Sequence, residues 1–178
     1  MLRMIARRTG FCTSAVVVLW AMTASVASAD IAAVGTAAFH RGDYVRAFRE
    51  LAPAAARGNA KALGLLGFMY EHGFGVPQAY AAAADCYYRG ATLGDPFAQA
   101  MLGMMYDKGH GLPNDYVLAY KWLNLAAARS NGRQREAYVR FRDAVAGKLS
   151  TYEIIAAQRF ALEWTPDRPG PDVHLTVK

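Results

Sequence analysis

Met69–Tyr80 reads MYEHGFGVPQAY, and Met105–Tyr116 reads MYDKGHGLPNDY. The two stretches lie 36 residues apart and keep both glycines, the proline and both tyrosines. Read alone, Gly73-x-Gly75 could cradle a phosphate, hold a metal beside His72 or turn the chain. The copy decides among these. Between the two, His72 becomes Lys108 and Phe74 becomes His110. Residues that shape the backbone repeat, while side chains that chemistry would need change. That pattern marks the hinge of a helical hairpin, with Gly73 and Gly109 stopping the first helices. No Lys-Ser/Thr follows Gly75 as a phosphate loop requires, and no second ligand stands three or four residues from either histidine.

The 36-residue offset extends outward. It links Gly58 to Gly94, Ala62 to Ala98, Gly67 to Gly103, Ala83 to Ala119 and Ala91 to Ala127. Upstream, Tyr44, Ala47, Leu51, Ala55 and Gly58 stand 36 before Tyr80, Ala83, Tyr87, Ala91 and Gly94, with a short Gly42-Asp43 turn in place of the longer loop. A period of this length means stacked supersecondary units. Each unit reads as two helices. Ala62, Leu66 and Tyr70 form one apolar stripe. Gly67 beside it costs about 1 kcal/mol of helix propensity, which a close helix–helix approach would justify. Asn59 and Asp95-Pro96 are N-cap signals. Asp115 caps the next helix, with Tyr116, Ala119, Trp122, Leu123 and Ala126 as its buried stripe. Arg133 to Lys148 forms a helix outside the register. Ser150 and Glu153 make a capping box that opens a last helix, Ile154 to Trp164.

Residues 1–29 have the three-part grammar of a secretory leader: Arg3, Arg7 and Arg8, the apolar run Val16–Met22, and Ala27-Ser28-Ala29 before Asp30. The alternative is an uncleaved N-terminal anchor. The whole chain carries 20 basic and 14 acidic residues, +6. Without the leader, 17 basic against 14 acidic residues leave +3, so the charge does not call for nucleic acid. Cys86 would then be the only cysteine, which rules out an internal disulfide.

The repeat resembles the Sel-one-like repeat, a relative of the tetratricopeptide repeat with a longer glycine-containing loop. Ala60-Lys61-Ala62, Leu66-Gly67, Tyr70, Gly73-Phe74-Gly75-Val76 and Ala83 carry the resemblance in one unit. Ala98, Ala100, Leu102-Gly103, Tyr106, Gly109-His110-Gly111-Leu112, Asp115-Tyr116, Ala119, Trp122 and Ala126-Ala127 carry it in the next. Asp85-Cys86 stand where the better unit has Lys121-Trp122, and Ala79 replaces the capping Asp115. The resemblance implies an all-α fold: a short right-handed α-solenoid of helix-turn-helix repeats with C-terminal capping helices. Its parts are a half repeat at about 31–58, repeats at about 59–94 and 95–130, and capping helices at about 133–164. Together they make one domain over 30–165, followed by a mobile tail at 166–178.

The resemblance also implies binding of partner proteins. The face carrying Leu65, Met69 and His72 in one unit and Met101, Met105 and Lys108 in the next is the candidate groove lining. Methionines adapt to varied apolar partners, though packing against the neighbouring repeat would use them equally well. A basic run of Arg129, Arg133, Arg135, Arg140 and Arg142 is either a solvated face or a dock for an acidic protein or anionic surface. No nucleophile–base pair suggests an enzyme; Cys86 reads as core and Ser150 as a cap. The expectation is an exported interaction module, periplasmic or secreted, without cofactor or metal. The alternatives are an envelope-acting hydrolase of cell-wall or β-lactam type, and a self-associating structural unit.

Overall fold

The computed structural model describes residues 32–166; the expected leader and cleavage site, and the tail from 167 to 178, lie outside the described residues. Eight helices run through these residues: α1 (32–40), α2 (Tyr44–Ala56), α3 (Ala60–His72), α4 (Tyr80–Thr92), α5 (Pro96–Lys108), α6 (Tyr116–Arg129), α7 (Gly132–Ala146) and α8 (Thr151–Leu162). From α2 to α7 each helix packs on the next. In addition α3, α5 and α7 lie side by side, and α8 lies on α6. The result is a short solenoid of stacked hairpins, with odd-numbered helices on one side and even-numbered ones on the other.

The helix ends follow local chemistry. Asn59, Asp95 and Asp115 carboxyl or amide oxygens accept the backbone N–H of Ala62, Ala98 and Leu118 at 2.9, 2.7 and 2.9 Å. Ala79 has no side chain to offer and α4 starts without such a cap. Ser150 and Glu153 close a full capping box at the start of α8, one turn earlier than the apolar pattern suggests. At the other end, Gly73 and Gly109 adopt the left-handed conformation and return their N–H groups to Met69 and Met105 carbonyls. The amide of Gln78 donates to the Glu71 carbonyl at 2.7 Å. Asn114, 36 residues on, donates to the Tyr106 and Asp107 carbonyls at 3.0 and 2.6 Å. Side chains thus satisfy carbonyls that a helix end leaves open.

The second glycine of each loop does something different. A Cβ on Gly75 would stand 2.7 Å from the Tyr44 carbonyl carbon, and one on Gly111 2.5 Å from the Tyr80 carbonyl oxygen. Both glycines have φ of +71°. Each loop therefore rests its backbone on the first residue of the preceding even-numbered helix. The stack is held repeat to repeat by this contact, and only glycine fits it.

Within a hairpin, Gly67 and Gly103 permit close packing. A Cβ on Gly67 would lie 2.6 Å from the Tyr87 ring, and one on Gly103 2.8 Å from Leu123 and 3.0 Å from the Ala119 carbonyl oxygen. Tyr87 is wholly buried and its hydroxyl donates to Glu71 at 2.8 Å. Burial, then the Glu71 charge, pushes its pKa far up, so it stays protonated. Further along, Trp122 is fully buried and meets Trp164 edge-on at 6.1 Å, which ties the closing segment to α6.

Cys86 holds the place of Trp122 one repeat earlier and is 8 % exposed. Beside it lies a cleft of about 300 Å³, bounded among others by Phe48, Leu63, Leu66 and Tyr70. Burial pushes the Cys86 thiol up to about 11, with Asp85 adding to the rise and Arg89 opposing it. The thiolate is the nucleophile, so this thiol is inert at neutral pH.

Two outcomes follow from this packing. Gly111→Ala should destabilise the protein by about 3 kcal/mol, combining a left-handed Cβ penalty with displacement of the Tyr80 carbonyl. Gly42→Ala, also at positive φ but with open space around it, should cost only about 1 kcal/mol. Denaturant unfolding compares them, and equal losses would count against the loop seat. Cys86 should resist alkylation at pH 8 in the folded protein and react on unfolding.

Candidate functional site

The odd-numbered helices present a line of side chains to one another and to solvent. On α3 the line is Lys61, Leu65, Phe68 and His72, spaced four, three and four, which is one face of a helix. The 36-residue offset gives Phe97, Met101, Met104 and Lys108 on α5. Where these lines meet α1 and α7 there is a cavity of about 530 Å³. Its walls are Phe39, Leu65, Phe68, Pro96 and Phe97; its polar rim is His40, Lys61, Asp95 and Gln134.

The aromatic walls are mutually braced. Phe68 meets Phe39 edge-on at 5.7 Å and Phe97 at 6.2 Å. His72 stacks on Phe68 at 4.1 Å, and its Nδ1 lies 3.0 Å from the Phe68 carbonyl oxygen. Behind them Tyr44 stacks on Phe74 at 4.5 Å. At the rim, Asp95 is committed to capping α5; burial raises its pKa, while hydrogen bonds from the Ala98 and Phe97 amides and the nearby Lys61 oppose the rise. An apolar concavity with a few polar groups at its edge suits a large apolar side chain of a bound segment. Among the described residues no group of three or more His, Cys, Asp or Glu could hold a metal ion.

The residues expected from sequence divide. Leu65 is a wall of the cavity, and Met101, half-buried, stands on the same line. His72 and Lys108 end the two lines and are exposed. Met69 and Met105 do not line the groove: they are 0 % and 1 % exposed and belong to the core. One residue along a helix is a turn of about 100°, enough to carry Met69 from the groove into the packing between helices. Phe68 takes that place on the cavity wall, and Met104, half-buried, stands at the matching position on α5. Phe39, Phe68, Phe97 and Met104 went unread, although Phe68 and Met104 also stand 36 apart.

The basic run likewise divides. The Arg129 guanidinium lies 4.4 Å over the Trp164 ring. Arg142 bonds Asp143 at 2.7 Å and reaches Asn124 at 3.4 Å. Arg133, Arg135 and Arg140 are exposed. Arg133 and Arg140, seven apart, share one face of α7, whereas Arg135 and Arg142 share another, about 200° round.

This placement makes Met69→Asp and Met105→Asp folding variants: each should lose more than about 3 kcal/mol, because a buried carboxylate has no partner there. His72→Ala should stay within about 0.5 kcal/mol. Thermal melts compare the three; a stable, folded Met69→Asp would show the residue to be accessible.

Residues 60–95 and 96–131 each match the Sel1 repeat model. A comparison with curated protein sequences gives no match. Among solved structures, a protective antigen present in uropathogenic Escherichia coli strains, displaying an SLR fold, superposes with a TM-score of 0.70 at 23 % identity. It covers 85 % of this chain and 33 % of its own. A Sel1 repeat protein from Oxalobacter formigenes gives 0.57 at 28 % identity, covering 78 % of this chain and 57 % of its own. This chain thus spans less than two thirds of either. The repeat region is homologous to the Sel1 family: two consecutive Sel1 repeats set within a short, all-α, tetratricopeptide-like solenoid.

Proposed function

We propose that this protein is an exported interaction module whose groove between α1, α3, α5 and α7 holds a segment of a partner protein. Sel1 and tetratricopeptide-type repeats are in general protein-interaction scaffolds, and the finer assignment rests on the cavity. The observation that carries it is the cavity of about 530 Å³ walled by three phenylalanines, a leucine and a proline, which no side chain of the described residues fills. Interfaces draw their affinity from large apolar or aromatic anchors seated in such pockets. The segment accordingly carries an aromatic or branched aliphatic anchor, with Leu65, Phe68, Phe97 and Met101 as contacts and His72 and Lys108 at the far rim.

Export rests on the leader grammar of residues 1–29. Among the described residues no helix is long and apolar enough to cross a membrane. Among the described residues nothing observed favours the hydrolase alternative: the one thiol there is buried with a raised pKa, and the cavity rim offers Lys61 and an Asp95 already used as a helix cap.

The test uses rim residues, which can close the cavity without disturbing the core. His40→Trp and Lys61→Trp both change exposed positions at its mouth. The tagged protein should capture a partner from an envelope extract of its native host. Both variants should keep the wild-type melting temperature and lose capture at least tenfold. Folded variants that capture the same partner undiminished would refute the groove.

A further inference from the structure

The apolar surface of the groove reaches beyond its cavity. On α7, Phe141 stands seven residues after the cavity residue Gln134. That spacing returns it to the same face of the helix, about 10 Å further along the axis. Its ring is 40 % exposed. On α5, the half-buried Met101 and Met104 follow the cavity wall Phe97. The two helices lie side by side, and beyond them Lys148 reaches Asp107 at 2.6 Å. An apolar track therefore runs on from the cavity between α5 and α7, longer than one side chain fills.

Charge along this track is one-sided. Three carboxylates belong to α3 and α5: Glu71, Asp107 and the N-cap Asp95. All three are engaged. Glu71 accepts the Tyr87 hydroxyl at 2.8 Å, Asp95 accepts the Ala98 N–H at 2.7 Å, and Asp107 binds Lys148. The cations of the same helices are not. Lys61 at the cavity rim and Lys108 at the far end of the α5 line are both exposed, and among the described residues neither has an ion-pair partner. On the adjoining solvent face of α7, Arg133 and Arg140 outnumber Glu136, while Asp143 is taken by Arg142 at 2.7 Å.

We propose that this track takes an acidic segment of a partner protein. An aromatic or leucine anchor fills the cavity, with a carboxylate beside it at Lys61 and a second carboxylate at Lys108. Helix geometry sets the spacing. Phe97 and Lys108 are eleven residues apart on one helix, roughly 16 Å, which is about five residues of extended chain. The segment therefore carries acid on both sides of its anchor, the distal one about five residues away, with an apolar residue between them over Met104 and Phe141. The anchor supplies affinity. The two ion pairs steer the encounter and fix the direction in which the segment lies. The proposal rests on the groove reading and adds to it the chemistry of the occupant.

Selection of phage-displayed random dodecapeptides on the purified protein tests it. The enriched sequences should place Asp or Glu on both sides of an aromatic residue or leucine. A labelled synthetic copy of an enriched peptide should lose at least about tenfold in affinity when its acids become amides, and as much when Lys61→Glu and Lys108→Glu are combined at an unchanged melting temperature. Raising NaCl from about 0.05 to about 0.5 M should weaken it as well. Neutral peptides that His40→Trp displaces would overturn the acidic assignment and leave the groove standing. Peptides that His40→Trp leaves bound, or no enrichment at all, would overturn both. Displacement of the selected peptides by a synthetic 167–178 segment would make the chain itself the occupant and overturn the partner assignment.

Discussion

The backbone contact between the second loop glycine and the tyrosine that opens the preceding even-numbered helix governs this fold. Gly75 lies against Tyr44 and Gly111 against Tyr80, each pair 31 residues apart. A Cβ at either glycine would overlap backbone atoms, which cannot swing aside as a side chain end can. The contact fixes how far each hairpin stands from the last. That distance brings α1, α3 and α5 close enough for the rings of Phe39, Phe68 and Phe97 to touch in series. The cavity is thus a by-product of repeat spacing. Its walls are the side chains left over once each odd-numbered helix has packed against its neighbours.

The same reasoning explains why the two loops vary where they do. His72 and Lys108, and Phe74 and His110, stand at matched positions with different chemistry. Glycines, capping amides and core tyrosines are tied to geometry and recur. Side chains facing the groove or the solvent are released from that constraint, so they are where one repeat differs from the next. Cys86 shows the limit of the constraint: it stands buried at the position of Trp122 in the next unit, beside a cleft.

Period, hairpin count, caps and the close approaches at Gly67 and Gly103 could be read from residues alone, because each depends on local spacing and on glycine or capping chemistry. The face of the groove could not. An odd-numbered helix here buries two sides, one toward its own partner helix and one toward the adjoining repeat. Its apolar residues therefore run nearly all the way round, and periodicity loses its power to choose a direction. Met69 and Phe68 differ by one position, yet one is core and the other is wall. The contribution of α1 was equally hidden, since Phe39 lies outside the 36-residue register and reaches Phe68 only through tertiary packing. The five arginines are close together in sequence, yet Arg129 ends α6 and the four on α7 fall on two faces of that helix.

The central claim is that the line through Leu65, Phe68, Met101 and Met104 is the recognition surface and that its neighbours one position along are not. Methionine methyl NMR separates the two directly, because Met101 and Met104 are half-buried at the positions on α5 that match the Leu65 and Phe68 cavity walls, while Met69 and Met105 are wholly buried in the core. On addition of the captured partner, the account predicts that the Met101 and Met104 methyl signals shift or broaden while those of Met69 and Met105 hold their positions. Unchanged Met101 and Met104 signals, with bound partner perturbing residues of the even-numbered helices instead, would contradict it.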